Sequence, residues 1–224
     1  MADIKLPLKT FVNLDGVFQS AKFSSPDAMS YLGKDLARWL DELLTGSGVG
    51  EEPVIKGKVH AGAWIHGKVF IAEGAVIEPS AYIQGPCFIG PDAEIRHGAY
   101  IRGNVYVGAR AVVGHTSEVK GSVLMDDAKA AHFAYVGDSI LGRNVNLGAG
   151  TKLANLKLKG DEVKFRHPAD GRPVASGLRK FGAIMGDNAQ TGCNAVLSPG
   201  TLMMPGATVL PCAHGRGLIK PGIF

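Results

Sequence analysis

The chain has 224 residues, 46% of them hydrophobic but only 7% aromatic, with 31 glycines and a formal charge of +4. Such aliphatic content excludes a disordered chain, and a mild positive charge without a dense Lys/Arg stripe interleaved with aromatics excludes a nucleic-acid surface. Three scattered cysteines, Cys87, Cys193 and Cys212, with no Cys-x-x-Cys pair, exclude a disulfide framework and a zinc knuckle.

The N-terminus shows no basic-then-apolar leader, and no apolar run approaches the ~18 residues of a membrane span. A cytoplasmic protein without a membrane partner is expected. Residues 1–24 alternate only loosely (Ile4, Leu6, Leu8, Phe11, Val12). In the extension formed by residues 1–52, Ser25 can cap a helix with Pro26 at its first position and Asp27 in its first turn. Met29, Leu32, Leu36, Trp39, Leu40, Leu43 and Leu44 then recur at three- and four-residue steps, so a helix over about 26–44 is expected, ended by Gly46 and Gly48. The simplest role for this helix is to cover the open first coil of the repeat region on its C-terminal side.

From Pro53 a different metre begins. A branched aliphatic returns every sixth residue from Ile65 through Ile71, Ile77, Ile83, Ile89, Ile95 and Ile101 to Val107, Val113 and Val119. Small residues such as Ala75, Ala81, Cys87, Ala93 and Ala99 stand four positions after these. Six is not a helical period; it is the period of a hexapeptide β-solenoid, in which each short strand turns one side chain inward. With three strands per coil, residues 18 apart stack about 4.8 Å from one another. Residues 53–211 are expected to form this all-β parallel β-helix. The metre loosens after Val119, resumes at Leu141, Leu147 and Leu153, and breaks over about 155–181, where an inserted β-hairpin is predicted around Pro-Ala-Asp-Gly. It returns at Met185, Thr191, Leu197, Met203 and Val209, and a short tail is expected over 212–224.

The stacking rule places Arg102 and Lys120 on adjacent coils of one column. Two stacked cations repel, and a phosphate between them would relieve the repulsion, unless both side chains simply splay into water. His97 and His115 stack by the same rule. The seven histidines include no spacing suited to three zinc-bound imidazoles, so no metal is expected. His132 lies where the metre loosens. A lone histidine among apolar residues is commonly structural, but an imidazole with a pKa near ~6.5 is also the group that takes a proton from an amine at neutral pH.

Residues 118–155, EVKGSVLMDDAKAAHFAYVGDSILGRNVNLGAGTKLAN, resemble the acetyltransferase domain of the bifunctional sugar-1-phosphate nucleotidylyltransferase/N-acetyltransferase family. The shared pattern is E-x-K, H-x-x-Y-x-G-D, and N-x-N-x-G-A-G-T followed by an Asn; KFGAIMGDNAQTGCNAVLSPG resembles archaeal-type members. The resemblance implies a left-handed coil and a homotrimer with sites between subunits. It implies His132 as general base with Glu118 orienting it, Arg102 and Lys120 on a sugar phosphate, and Tyr135, Asn146 and Asn155 on the sugar. Ala149 falls at an acetyl-CoA contact, as does Cys193, where many members carry a small hydroxyl residue, and Leu156 replaces a common aromatic. No Gly-rich nucleotidyltransferase signature precedes Pro53. The expected activity is therefore acetyl-CoA-dependent N-acetylation of an amino-sugar 1-phosphate such as glucosamine 1-phosphate. The alternative is a non-catalytic sugar-phosphate or nucleotide-sugar binding subunit working with a separate nucleotidyltransferase. Basic residues of the insert (Lys164, Arg166, Arg172, Arg179, Lys180) either attract CoA phosphates or simply solvate a loop.

Overall fold

The computed structural model describes residues 6–224; Ile4 of the loose N-terminal alternation lies outside them. From Val54 to Ile223 the chain winds as a three-faced solenoid whose faces are parallel sheets of nine, nine and eight short strands. Face 1 starts at Val54–Ile55, face 2 at Lys58–Val59 and face 3 at Trp64–His66. Register follows the six-residue metre: Ile65 pairs with Ile83 and Ile83 with Ile101 on face 3, and Ile71 with Ile89 and Ile89 with Val107 on face 1. From Ile71 onward these side chains and the small residues between them fill one continuous buried core, and Ile65 of the first coil packs against it half-buried. The architecture agrees with the left-handed β-helix that the resemblance implies. The tail expected from Cys212 is instead the last coil, with strands at His214–Gly215, Leu218–Ile219 and Gly222–Ile223 continuing the three faces.

The loosened metre has a simple cause. Ile89 and Val107 are 18 residues apart, but Val107 and Leu124, and Val119 and Val136, are 17 apart. One residue is lost at the corner between faces 3 and 1, where Lys120-Gly121-Ser122 and Gly137-Asp138-Ser139 turn more tightly than Arg102-Gly103-Asn104-Val105. Buried hydroxyls make up the missing ladder bonds there: Ser122 Oγ accepts from Ser139 N at 3.0 Å, and Ser139 Oγ accepts from Ala183 N at 3.0 Å.

The N-terminal extension does not close the end of the solenoid. It lies along face 1, where strands such as Val69–Ile71, Cys87–Ile89 and Val105–Val107 carry three consecutive apolar residues, the outer two turned inward and the middle one outward. Phe70, Phe88 and Tyr106 form an outward stack with ring separations of 4.9 and 5.5 Å, and Val123, Ile140, Ile184 and Leu202 continue it. A ladder of that size cannot face water, and Leu36, Leu40, Leu43 and Leu44 cover it together with Phe11, Phe23 and Tyr31. The helix itself, α1, runs Gly33–Gly46 and is shorter than its apolar spacing suggests. Leu32 is extended (φ −134°, ψ 157°), which separates α1 from a 3-10 turn over Ala28–Tyr31. That turn is capped by Asp27, which accepts from Met29 N at 3.0 Å, while Ser25 bonds Ser30 instead. The insert also folds back onto face 1. Its hairpin pairs Lys164–Arg166 with Pro173–Ala175, and Val163, Phe165 and Phe181 are buried against the same outer layer.

Candidate active site

The candidate residues lie at the two corners that flank face 3, with His132 the last residue of a face-2 strand. At the edge where the chain arrives from face 2, backbone N–H groups tie successive corners together: Phe133 N donates to His115 O, Gly150 N to His132 O, Asn194 N to Ala149 O, and Cys212 N to Cys193 O, at 2.8–3.0 Å. His115, His132, Ala149 and Cys193 therefore form one column. His97 precedes them, its ring stacked on His115 at 5.6 Å. His132 is exposed, and its imidazole makes no hydrogen bond among the described residues. Beside it Phe133 holds a positive φ of 51° while 55% exposed, an unfavourable backbone state for a bulky residue. Asn146 is exposed on face 2, in register with Lys129 and Gln190, three residues before Ala149.

At the opposite edge the coils place Lys120 next to Arg102, as the 18-residue spacing requires. The repulsion expected between them is absent because each has a carboxylate. Arg102 Nη1 donates to Glu118 Oε1 at 2.6 Å, and Lys120 Nζ donates to both oxygens of Asp138 at 2.8 and 3.0 Å. Glu118, expected to orient His132, instead engages Arg102, because its position on face 3 pairs with Tyr135 and the ion pair runs along that face. Asp138 is the residue that sequence reasoning left without a role. It stands at the tight corner, almost buried, and accepts from Asn155 Nδ2 as well as from Lys120. Its signal was the last letter of H-x-x-Y-x-G-D, which falls 18 residues after Lys120, the same spacing that stacks Lys120 on Arg102.

Tyr135 and Asn155 complete this edge. Burial, then the Glu118 and Asp138 charges, push the Tyr135 phenol above its ordinary value, so it is a hydrogen-bond donor throughout the neutral range. A cleft of about 480 Å³ opens over the edge between Arg102, Lys120, Asp138 and Lys34 of α1. A three-residue strand separates the two edges, a span of roughly 10 Å. The structure thus groups His132, Ala149 and Cys193, and separately Arg102, Lys120, Glu118, Tyr135 and Asn155, with Asn146 apart on face 2. Among the described residues no three His, Cys, Asp or Glu side chains converge as metal ligands. No helix among them is long and apolar enough to cross a membrane.

The repeat architecture defines a hexapeptide-repeat β-helix protein. Residues 83–169 match the family model described as the GMPPB C-terminal domain. A bifunctional sugar-1-phosphate nucleotidylyltransferase/acetyltransferase of Sulfurisphaera tokodaii is 41% identical over 91 residues, which is 41% of this chain and 22% of that protein. A bifunctional protein GlmU of Methanococcus maripaludis is 53% identical over 146 residues, 65% of this chain and 35% of its own length. The repeat region of this chain is similar to part of these bifunctional proteins, and the chain spans about a third or less of their length. A crystal structure of a hexapeptide transferase family protein from Anaplasma phagocytophilum aligns with 76% of this chain and 70% of its own at 15% identity and a TM-score of 0.26. The fold assignment rests on the strand register and not on that alignment.

Proposed function

We propose that this chain transfers the acetyl group of acetyl-CoA to the amine of an amino-sugar 1-phosphate such as glucosamine 1-phosphate. The observation that carries this reading is the grouping at the two corners that flank face 3. The residues implied for the phosphate and sugar (Arg102, Lys120, Tyr135, Asn155) gather at one edge, and the implied base and CoA contacts (His132, Ala149, Cys193) gather at the other. The amine nitrogen attacks the thioester carbonyl, the C–N bond forms as the C–S bond breaks, and the thiolate leaves. The proton released by nitrogen passes to the His132 imidazole and from there to the departing sulfur. In the homotrimer that the resemblance implies, a neighbouring subunit would bring a second face against face 3. The exposed column Trp64, Tyr82 and Tyr100 supports an interface there.

A non-catalytic subunit that binds sugar phosphate alongside a separate nucleotidyltransferase is the competing reading. It is favoured by the unanchored imidazole of His132 and by cations that are already paired. Thiol release with acetyl-CoA and glucosamine 1-phosphate separates the two. Release that requires the sugar phosphate and falls about 100-fold or more in His132→Ala supports catalysis. Absence of turnover, with sugar-phosphate binding that Lys120→Ala weakens, supports the binding subunit.

A further inference from the structure

Two clefts meet where α1 faces the return of the insert. The cleft of about 480 Å³ over the Arg102/Lys120 edge and a second of about 570 Å³ share Lys34, Leu178 and Arg179 in their walls. The junction is closely packed, since a Cβ at Gly33 would come 2.9 Å from Leu178 Cδ2. Neither α1 nor this return belongs to the hexapeptide repeat, and both lie outside the residues 83–169 that match the family model.

The first cleft carries five cations, Lys34, Arg102, Lys120, Arg179 and Lys180. Glu118 and Asp138 engage Arg102 and Lys120. Lys34, Arg179 and Lys180 have no carboxylate partner among the described residues, and Arg179 Nε reaches only the carbonyl of Gly160, at 2.9 Å. Three unpaired like charges in one concave site repel each other, and the low-dielectric walls concentrate their field. An anion larger than a phosphate monoester relieves that repulsion, and the second cleft has space for what it is attached to.

We propose that this double cleft binds a nucleoside diphosphate, so that the amino-sugar 1-phosphate of the reaction is the sugar end of a nucleotide-linked amino sugar. Lys34, Arg179 and Lys180 hold the diphosphate, and the second cleft, walled by Met29, Leu32 and Ser176, takes the nucleoside. The substrate assignment rests on the acetyltransferase reading above; the binding site itself does not. CoA also carries a diphosphate, but the positions implied for it, Ala149 and Cys193, lie at the other edge of face 3 in the same chain.

Calorimetric titration of the full chain with UDP, ADP, inorganic phosphate and CoA tests this, using the wild type and Lys34→Gln/Arg179→Gln. Both substituted side chains are exposed, so the fold is not at risk. The expected result is that at least one of UDP and ADP binds about tenfold or more tighter than phosphate. The double variant should weaken that nucleotide by about tenfold and shift phosphate by less than about twofold. Nucleotides no tighter than phosphate, or unmoved by the double variant, overturn the proposal. So does a loss confined to CoA, which assigns the cleft to the acyl donor. Because these titrations need no turnover, an inactive chain that still passes them rejects the acetyltransferase reading and keeps the site. An active chain that fails them rejects the site alone.

Discussion

Gly137 leaves no space for a side chain: a Cβ there would stand 2.7 Å from both Asn155 Nδ2 and Tyr135 OH. Both obstructing atoms are side-chain ends that can swing away, so Gly137→Ala should fold. Its cost falls on function, because the displaced amide is the one that bonds Asp138. We expect the KM for the sugar phosphate to rise about tenfold with little change in melting temperature; an unchanged KM would remove Asn155 and Tyr135 from the site. The cysteines give a second test at this scale. Burial pushes the Cys87 thiol far up, so it is inert in the folded chain, whereas Cys193 and Cys212 are exposed. A thiol reagent should label Cys193 and Cys212 promptly and Cys87 only after denaturation. CoA should slow labelling of Cys193 specifically. Equal rates with and without CoA would argue against the donor lying along that corner.

Coils are held in register by close backbone approach. A Cβ on Gly114 would lie 1.7 Å from the carbonyl oxygen of Ala131, the residue before His132, and here no side chain can give way. Gly114→Ala should therefore cost ~3 kcal/mol or more and shift the corner that carries His132. Denaturant unfolding measures the first effect and the ratio of kcat to stability loss the second. On face 1, Leu40 of α1 is fully buried over the aromatic ladder. Leu40→Ala should cost about 2–5 kcal/mol by leaving a cavity, and a cost near zero would mean that α1 is not what shields Phe70, Phe88 and Tyr106 from water.

The three faces of the whole molecule are not equivalent. Face 1 is covered by the extension and the insert, whereas face 3 exposes Trp64 (61%), Tyr82 (39%) and Tyr100 (39%) above the two edges that hold the candidate residues. If face 3 is the subunit interface, sedimentation should give a mass about three times the 23.5 kDa of one chain. Trp64→Ala/Tyr82→Ala should then shift the equilibrium toward monomer and lower activity with it. A wild-type chain that sediments as a monomer at working concentration would leave the site to be completed within a single subunit.

The six-residue metre by itself determined the solenoid, its start near Pro53, the inward ladders, the insert with its hairpin and the adjacency of Arg102 and Lys120. Those features are local and periodic: each strand faces its own aliphatic inward, and the corner between strands is short, so spacing alone fixes which residues stack. Recognition of the 118–155 motif added names for the side chains but not their contacts. Only the tertiary structure decided where the extension lies, because the apolar spacing of α1 is equally suited to an end or a side of the solenoid. It is the outward ladder Phe70–Phe88–Tyr106, a long-range feature, that draws α1 to face 1. The pairing of Arg102 with Glu118 was likewise hidden, since the two are 16 residues apart and the contact runs diagonally between neighbouring coils, whereas Asp138 stands 18 residues after Lys120, where regular stacking already points. The clustering of Lys34 with Arg179 and Lys180 joins residues more than a hundred positions apart, through two segments that carry no repeat, and no period in the chain connects them.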